Sequence, residues 1–507
     1  VLIGYAQQGT LAVPHPDPSR GAAMADIAFL PATDLAARIR ERRLGCRELL
    51  DHLLDRVERY NPRLNAIVAL DAERAQARAD AADAALTRGD LWGPLHGVPM
   101  TFKESYDIEG LPTTWGLPDL AGNVAKHDST VVRRMRNAGA VVFGKTNVPV
   151  LLADWQSYNP VYGTTNNPWD VSRTPGGSSG GSAAALAAGL TALEAGSDIG
   201  ASIRNPAHYC GVYGHKPTYG VVPPRGHATP GVLAPTDISA VGPLARSAED
   251  LEVALNAMAG ADGHDAECWR LELPADARTE ARDFRVAVML ADPNCAQDDT
   301  LTAKLQDTVD ALARLGVTVS DTARPAIDTT ESHRLYIQLL RAATSGRLSD
   351  GDLQQQRDLA AGLEGDDHGY VAMVARAVTM GHRDWLRANE RRTHLRAAWA
   401  TFFTEWDLLL CPTAASTAFP HQQEGHRHER RIVVNGHPEP TVDQLFWAGL
   451  SSLVYLPSTV VPVGLARDGL PSGLQIVAGH GRDRTALAFA KLMEKEIGGF
   501  VQPPGYE

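Results

Sequence analysis

The clearest chemistry in the sequence lies in serines set among small residues. GGSSGG over residues 176–181 runs into a helix of very small side chains beginning at Ser182. Within it, Gly176-Gly177-Ser178-Ser179-Gly180 matches G-x-S-x-G, the strained turn that exposes a nucleophilic hydroxyl in α/β-hydrolases. That motif needs a carboxylate and then a histidine downstream. Thirteen histidines follow it, so chain order leaves a Ser–His–Asp hydrolase built on Ser178 or Ser179 open. A second turn, GSDIGASIRNP over 196–206, brings Ser202 24 residues after Ser178. Its small neighbours leave the backbone accessible, so several N–H groups there are able to converge on a developing oxyanion. Two serine-bearing turns suggest a proton relay. Nucleotide binding is disfavoured, because GGSSGG lacks both the G-K-[ST] ending of a P-loop and the spaced glycines of a dinucleotide fingerprint.

Positioning such groups needs a rigid frame, and the pattern around them alternates strands and helices. Thr33 to Tyr60 has helical spacing, with Leu49, Leu50, Leu53, Leu54 and Val57 on one face and Asn61-Pro62 as its stop. Asp71 to Leu86 reads as an alanine-rich helix, and Val98 to Phe102 as a buried strand that delivers Lys103 at its end. Asp128 is placed to cap a helix ending at Asn137, followed by a strand over Ala140 to Phe143. Further on, helices are expected over Ser247 to Met258, Asp299 to Leu315 and Arg484 to Glu496, with strands over Phe284 to Leu290, Val317 to Val319, Leu408 to Cys411 and Leu453 to Val463. Residues 330–405 read as a mainly helical insertion. The expected fold is therefore α/β, one large domain over 24–507 rather than three separate ones.

Composition narrows the function. With 48 Lys+Arg against 60 Asp+Glu the formal charge is −12, which disfavours a broad nucleic-acid or anionic-lipid surface. No apolar run approaches the roughly 20 residues of a membrane span. Cys46, Cys210, Cys268, Cys295 and Cys411 are scattered, odd in number and free of C-x-x-C pairs, which points to reduced thiols and a cytoplasmic location. Val1 to Ala23 lacks a basic leader and a secretory apolar core, and the pattern improves after Met24, so residues 1–23 are set aside as an N-terminal extension or a remnant of cloning.

Several segments together resemble the amidase signature family: GVPMTFK at 97–103, GKTN at 144–147, TPGGSSGGS at 174–182, the Ser202 turn, and CGVYGHKPT at 210–218. The similarity is densest over about 93–222 and continuous from about 30 to 500. Lys103 lies 75 residues before Ser178 and Ser202 24 after it, a combination far more specific than GGSSGGS alone. The resemblance implies a mixed central β-sheet covered by helices on both faces, and a Ser–cisSer–Lys triad. In it Ser202 is the nucleophile, Ser178 the bridging serine after a cis Gly177–Ser178 bond, and Lys103 the base.

The chemistry of the residues is consistent with those roles. A hydroxyl needs a base, and a lysine serves as one only when burial and the absence of a carboxylate partner lower its pKa. Glu104, next to Lys103, is therefore expected to point away. Backbone N–H groups of Ile199, Gly200, Ala201 and Ser202 are expected to form the oxyanion hole, with Ala201 standing where the family most often has glycine. Ser179, Asp198 and Arg204 match supporting positions. The family layout puts Leu152, Trp155 and Tyr158 of LLADWQSY (151–158) near the triad, with Trp115 as a further wall.

The implied activity is hydrolysis of carboxamide C–N bonds in linear amides through a serine acyl-enzyme, with esters or anilides as side substrates and no metal or cofactor. A small-molecule amide is the partner, with no nucleic acid and no membrane span, and a homodimer is the oligomer to test. Two other readings share the signature: a glutamine-hydrolysing transamidase subunit, and a catalytically idle binding protein. His421, His426, His428 and His437 match no zinc template and read as a solvated loop, and Cys210, in an apolar segment, reads as packed.

Overall fold

The computed structural model describes residues 27–507, so the 1–23 segment lies outside the described residues. Eleven strands form one mixed sheet. In chain order they are β1 Ile67–Leu70, β2 Pro99–Lys103, β3 Val141–Thr146, β4 Leu193–Asp198, β5 Tyr213–Lys216, β6 Ala240–Ala245, β7 Arg285–Val288, β8 Thr318–Ser320, β9 Leu408–Pro412, β10 Ser458–Leu465 and β11 Pro471–Ala478. Their spatial order is β1-β3-β2-β4-β6-β5-β10-β11-β9-β7-β8. β3, β2 and β4 run parallel, as do β9, β7 and β8, and the strands between them are antiparallel.

Alternation along the strands shows that both faces are covered. In β9, Leu408 and Leu410 enter one hydrophobic core while Leu409 and Cys411 enter another; Val286 and Val288 of β7 divide from Ala287 in the same way. Successive strand residues point to opposite faces, so the two cores lie on opposite sides of the sheet. Helices Asp299–Arg314 and Asp483–Glu496 close the first through Leu305 and Leu487. Helices Thr329–Thr344 and Leu445–Ser452 close the second through Leu339 and Trp447. The expected α/β domain with a doubly covered mixed sheet is the observed one.

Local differences have local causes. The expected Thr33 to Tyr60 helix is two, Ala32–Arg40 and Cys46–Leu64, separated where Arg42 adopts φ +58°. Pro62 does not stop the second; it is carried in the last turn, and Asn65 at φ +50° ends it. Ser129, not Asp128, caps Thr130–Asn137 by accepting from Val132 N–H, while Asp128 pairs with Arg136 at 3.0 Å. Leu453 to Val463 is a strand only from Ser458, because Leu445–Ser452 is a helix just before it. Within 330–405 the chain forms Asp350–Ala361, Tyr370–Val378 and His382–Glu405 after Thr329–Thr344.

Small side chains let the helix Gly180–Ala187 lie fully buried close to its neighbours. A Cβ on Gly181 would sit 2.3 Å from the Asn147 amide nitrogen, inside contact distance of rigid backbone. Gly181→Ala is therefore expected to cost about 1–3 kcal/mol, read as a lower melting temperature in a thermal scan.

Candidate active site

Strand pairing sets the position of Lys103. β2 and β4 run parallel with Phe102 opposite Ala195, so both chains leave the sheet at the same edge, Lys103 on one and Ser197-Asp198 on the other. Lys103 is completely buried. Its Nζ donates to Ser178 Oγ at 2.6 Å and Ser197 Oγ at 2.9 Å, and it forms no ion pair among the described residues. Burial holds its pKa well below the ordinary lysine value of 10.5; Asp198 and Glu194 oppose that and Arg347 adds to it. Glu104 points elsewhere, accepting from the backbone N–H groups of Thr114 and Trp115. Ser178 follows a cis peptide bond from Gly177.

The second turn is organised by Asp198, also fully buried. Its carboxylate accepts from the N–H groups of Ala201 (2.9 Å) and Ile203 (3.1 Å) and from Arg204 Nε (2.9 Å) and Nη2 (2.8 Å). Burial opposes ionisation of Asp198, but Arg204 outweighs it and keeps the carboxyl below its ordinary value. Arg204 continues to Gln475 of β11 at 2.6 Å and to the hydroxyls of Ser451 and Ser452, both at 2.9 Å. Ser179 N–H donates to Ser202 C=O at 3.1 Å, which ties the two serine turns together.

Two ring donors fix the 199–202 turn. Tyr336 O–H donates to Ile199 C=O at 2.8 Å, and Trp155 Nε1–H donates to Gly200 C=O at 2.7 Å. In a planar trans peptide the carbonyl and the following N–H point oppositely, so these contacts set the planes that carry the Gly200 and Ala201 N–H groups. The expected set of four donors changes in one respect. The Ala201 N–H is occupied by Asp198, leaving those of Ile199, Gly200 and Ser202 without an acceptor among the described residues. Ala201 has φ +69°, the left-handed region that favours glycine.

A cavity of about 200 Å³ opens at Ser202, lined by Leu152, Trp155, Leu340, Leu445 and several arginines. Leu152 and Trp155 thus stand where the sequence placed them, Trp155 with the added task of holding Gly200. Tyr158 does not line it: its hydroxyl is engaged by Arg430 at 2.8 Å. Trp115 is buried behind the guanidinium of Arg347, 5.3 Å from its ring. The sequence reading missed Ser197, Tyr336, Arg341, Arg347 and Arg427. Ser197 directly precedes Asp198 in the quoted turn and was the one within reach of motif reasoning.

No histidine hydrogen-bonds Ser178, Ser179 or Ser202 among the described residues, which leaves a Ser–His–Asp arrangement without its base. Buried His208, His215 and His227 bond Gly473, Thr459 and Ser105 instead. Of the polar-loop histidines, His426 and His428 stack at 5.6 Å while His421 bonds Asn166. Cys210 is buried, and burial pushes its thiol pKa up.

Residues 48–487 match the family model described as Amidase. An indoleacetamide hydrolase of Bradyrhizobium diazoefficiens is 34% identical over 476 residues, 92% of this chain and 86% of the relative. A glutamyl-tRNA(Gln) amidotransferase subunit from an Anaeromyxobacter species is 33% identical over 500 residues, 94% of this chain and 98% of the relative. Among solved structures, 6-aminohexanoate cyclic dimer hydrolase complexed with substrate superposes with a TM-score of 0.75 at 27% identity, covering 94% of this chain and 99% of the other.

Two outcomes follow from the geometry of the turn. Asp198→Ala leaves Arg204 buried and unpaired and is expected to destabilise by about 3–5 kcal/mol, measured by chemical denaturation. Ala201→Gly relieves the left-handed backbone at some cost in chain entropy and is expected to stabilise by about 0.5–1 kcal/mol. A lower melting temperature for that variant would contradict the assignment of strain to Ala201.

Proposed function

The chain belongs to the amidase family, and from that we propose that it hydrolyses carboxamide C–N bonds through a Ser202 acyl-enzyme, releasing a carboxylic acid and an amine or ammonia. The observation that carries this reading is the 2.6 Å contact between Lys103 Nζ and Ser178 Oγ in a fully buried pocket with no ion pair to the lysine. Unprotonated Lys103 takes the proton of Ser178 as Ser178 takes that of Ser202, and Ser202 Oγ bonds to the carbonyl carbon. The N–H groups of Ile199, Gly200 and Ser202 receive the oxyanion. As it collapses, the C–N bond breaks and the leaving nitrogen takes a proton back from Ser178, which Lys103 replenishes. Water then enters by the same relay and releases the acid.

No hydrogen bond joins Ser178 Oγ to Ser202 Oγ among the described residues. That link is assigned to the substrate complex, where catalytic contacts commonly tighten. Linear amides are the proposed class, with esters and anilides as side substrates, and the cycle uses side chains and backbone alone. Segment 330–405 is read as a helical insertion that carries Tyr336 to the oxyanion turn. Five free cysteines, four of them buried, support a reducing, cytoplasmic setting. No helix among the described residues is long and apolar enough to cross a membrane.

The test is a panel of amides, anilides and esters on wild type, Ser202→Ala and Lys103→Ala, with fluorophosphonate labelling mapped by peptide mass. Labelling at Ser202 and turnover of simple amides by the isolated chain support the reading. Absence of labelling points to an idle binding protein, and turnover of glutamine alone, dependent on added subunits, to a transamidase. Lys103→Ala is expected to lower kcat/KM by about 10²–10⁴-fold.

The pH dependence has a defined sign. The relay needs Lys103 without its proton, so kcat/KM rises with pH through the lowered folded-state value and then levels. Between that value and 10.5 the unfolded chain binds the extra proton, so this group makes stability rise with pH across the same window. A kcat/KM that falls as pH rises through the acid limb would remove Lys103 as the base.

A further inference from the structure

Three partly buried arginines, Arg341, Arg347 and Arg427, line the cavity at Ser202, and none has a carboxylate within ion-pair distance among the described residues. Arg347 uses one donor on Leu151 C=O at 3.1 Å and lies over the Trp115 ring. Arg427 donates to Ala153 C=O at 2.6 Å and to the Tyr370 hydroxyl at 2.9 Å, and Arg341 donates to the same hydroxyl. Arg341 Nε is buried with no acceptor. Each guanidinium carries five N–H donors, so most of this capacity is unspent. Asp154 is the carboxylate on the cavity wall, and Arg430 holds it at 2.6 Å. Arg347 is also close enough to Lys103 to disfavour its ammonium.

The field left over is visible in its neighbours. Burial opposes ionisation of Tyr370, yet Arg427 and Arg341 outweigh it and lower the phenol below its ordinary value. Burial, and then Arg427, weaken the hold of Arg341 on its proton. Arg427 is offset in part by Tyr370 and Asp154, but no carboxylate offsets Arg341 or Arg347, and such cations in a partly buried cavity are costly unless a ligand supplies the anion. The apolar side chains of Leu152, Leu340, Leu348 and Leu445 share the lining with the arginines and Ser202.

We propose that the cavity accepts amides whose far end bears a carboxylate, held by the guanidinium groups of Arg347 and Arg341, with the leucines packing the methylenes between. This rests on the amidase reading and names its substrate class: short ω-carboxy amides. An arginine fork matches a carboxylate with two parallel hydrogen bonds, which fixes the orientation of the chain as well as its affinity.

The test compares kcat/KM for glutaramate and for pentanamide, which has the same carbon count and no charge. Wild type is expected to favour glutaramate by about tenfold or more, and the ratio to fall toward one in Arg347→Met and Arg341→Met. Equal rates in wild type, or a ratio unmoved by both substitutions, overturns the proposal. Arg347→Lys keeps the charge without the fork and gives an intermediate ratio, which carries the comparison should a methionine variant fail to fold. A second measurement separates this from the activity itself: calorimetric titration of glutarate into Ser202→Ala and into Ser202→Ala with Arg347→Met. Binding weakened about tenfold by the second substitution supports the anion site even where neither amide is cleaved. Cleavage of pentanamide without glutarate binding overturns the anion site and leaves the amidase reading standing.

Discussion

Everything at the site depends on keeping one lysine buried without a partner carboxylate. An ammonium taken out of water costs several kcal/mol unless it is paired or gives up its proton. Lys103 is offered hydroxyls, from Ser178 and Ser197. A hydroxyl either accepts from an ammonium or donates to an amine, so the pocket tolerates both states of the base and holds it in place through either. The nearby carboxylates are prevented from trapping the proton. Asp198 is spent on Arg204 and the following backbone N–H groups, and Glu194 has its own pKa pushed up to about 8 by burial, so its charge near neutral pH is muted.

Asp198 is consequently the joint between Lys103 and the 199–204 turn. It sits at the end of β4 beside Lys103, yet its oxygens shape the 199–204 turn and its counter-ion reaches β11 and the helix Leu445–Ser452. A buried ion pair is weak evidence of stability in itself. Here its effect is geometric: it couples the parallel part of the sheet, which carries Lys103, to the antiparallel part that braces Arg204. Trp155 and Tyr336 complete that bracing from outside the sheet, one from the segment before GGSSGG and one from a helix more than a hundred residues later.

The elements nearest the chemistry were legible in the sequence because their signals are local. Gly/Ala runs require close helix packing, and a short apolar strand ending in Lys103 requires burial. The antiparallel strands β5, β6 and β11 carried no such signal. They are fully buried, yet YGHK of β5 and PSGLQIVA of β11 mix polar residues and glycine with apolar ones and AVGPLA of β6 holds a proline, so none shows a clean strand period and their pairing is decided by tertiary context. The same holds within the site. Lys103, Ser178 and Ser202 were singled out together through the resemblance of the segments that carry them, and Leu152 and Trp155 through the layout that resemblance implies. Tyr336 reaches the Ile199 carbonyl, and Arg341, Arg347 and Arg427 the cavity, from residues 336–427, where nothing in the local pattern separates the tyrosine from other core residues or the arginines from the many exposed charges. Tyr158 failed as a pocket residue for a complementary reason: its ring was visible in the sequence, but its partner Arg430, 272 positions away, was not.

The cationic cavity and the lowered proton affinity of Lys103 are parts of one electrostatic arrangement. Fixed positive charge at Arg347 disfavours a second positive charge on Lys103 and so adds to the effect of burial in lowering its pKa. In the proposed cycle a bound carboxylate cancels part of that field, and the proton affinity of Lys103 rises at the moment the relay must accept a proton from the serines. An anion in the cavity would thereby raise the proton affinity of the lysine it accompanies, whereas a neutral amide of the same shape would leave the Arg347 contribution unopposed. Discrimination between the two would then reside in the transfer of the proton as well as in binding, because Arg347, proposed to orient the substrate, also acts on the proton affinity of Lys103.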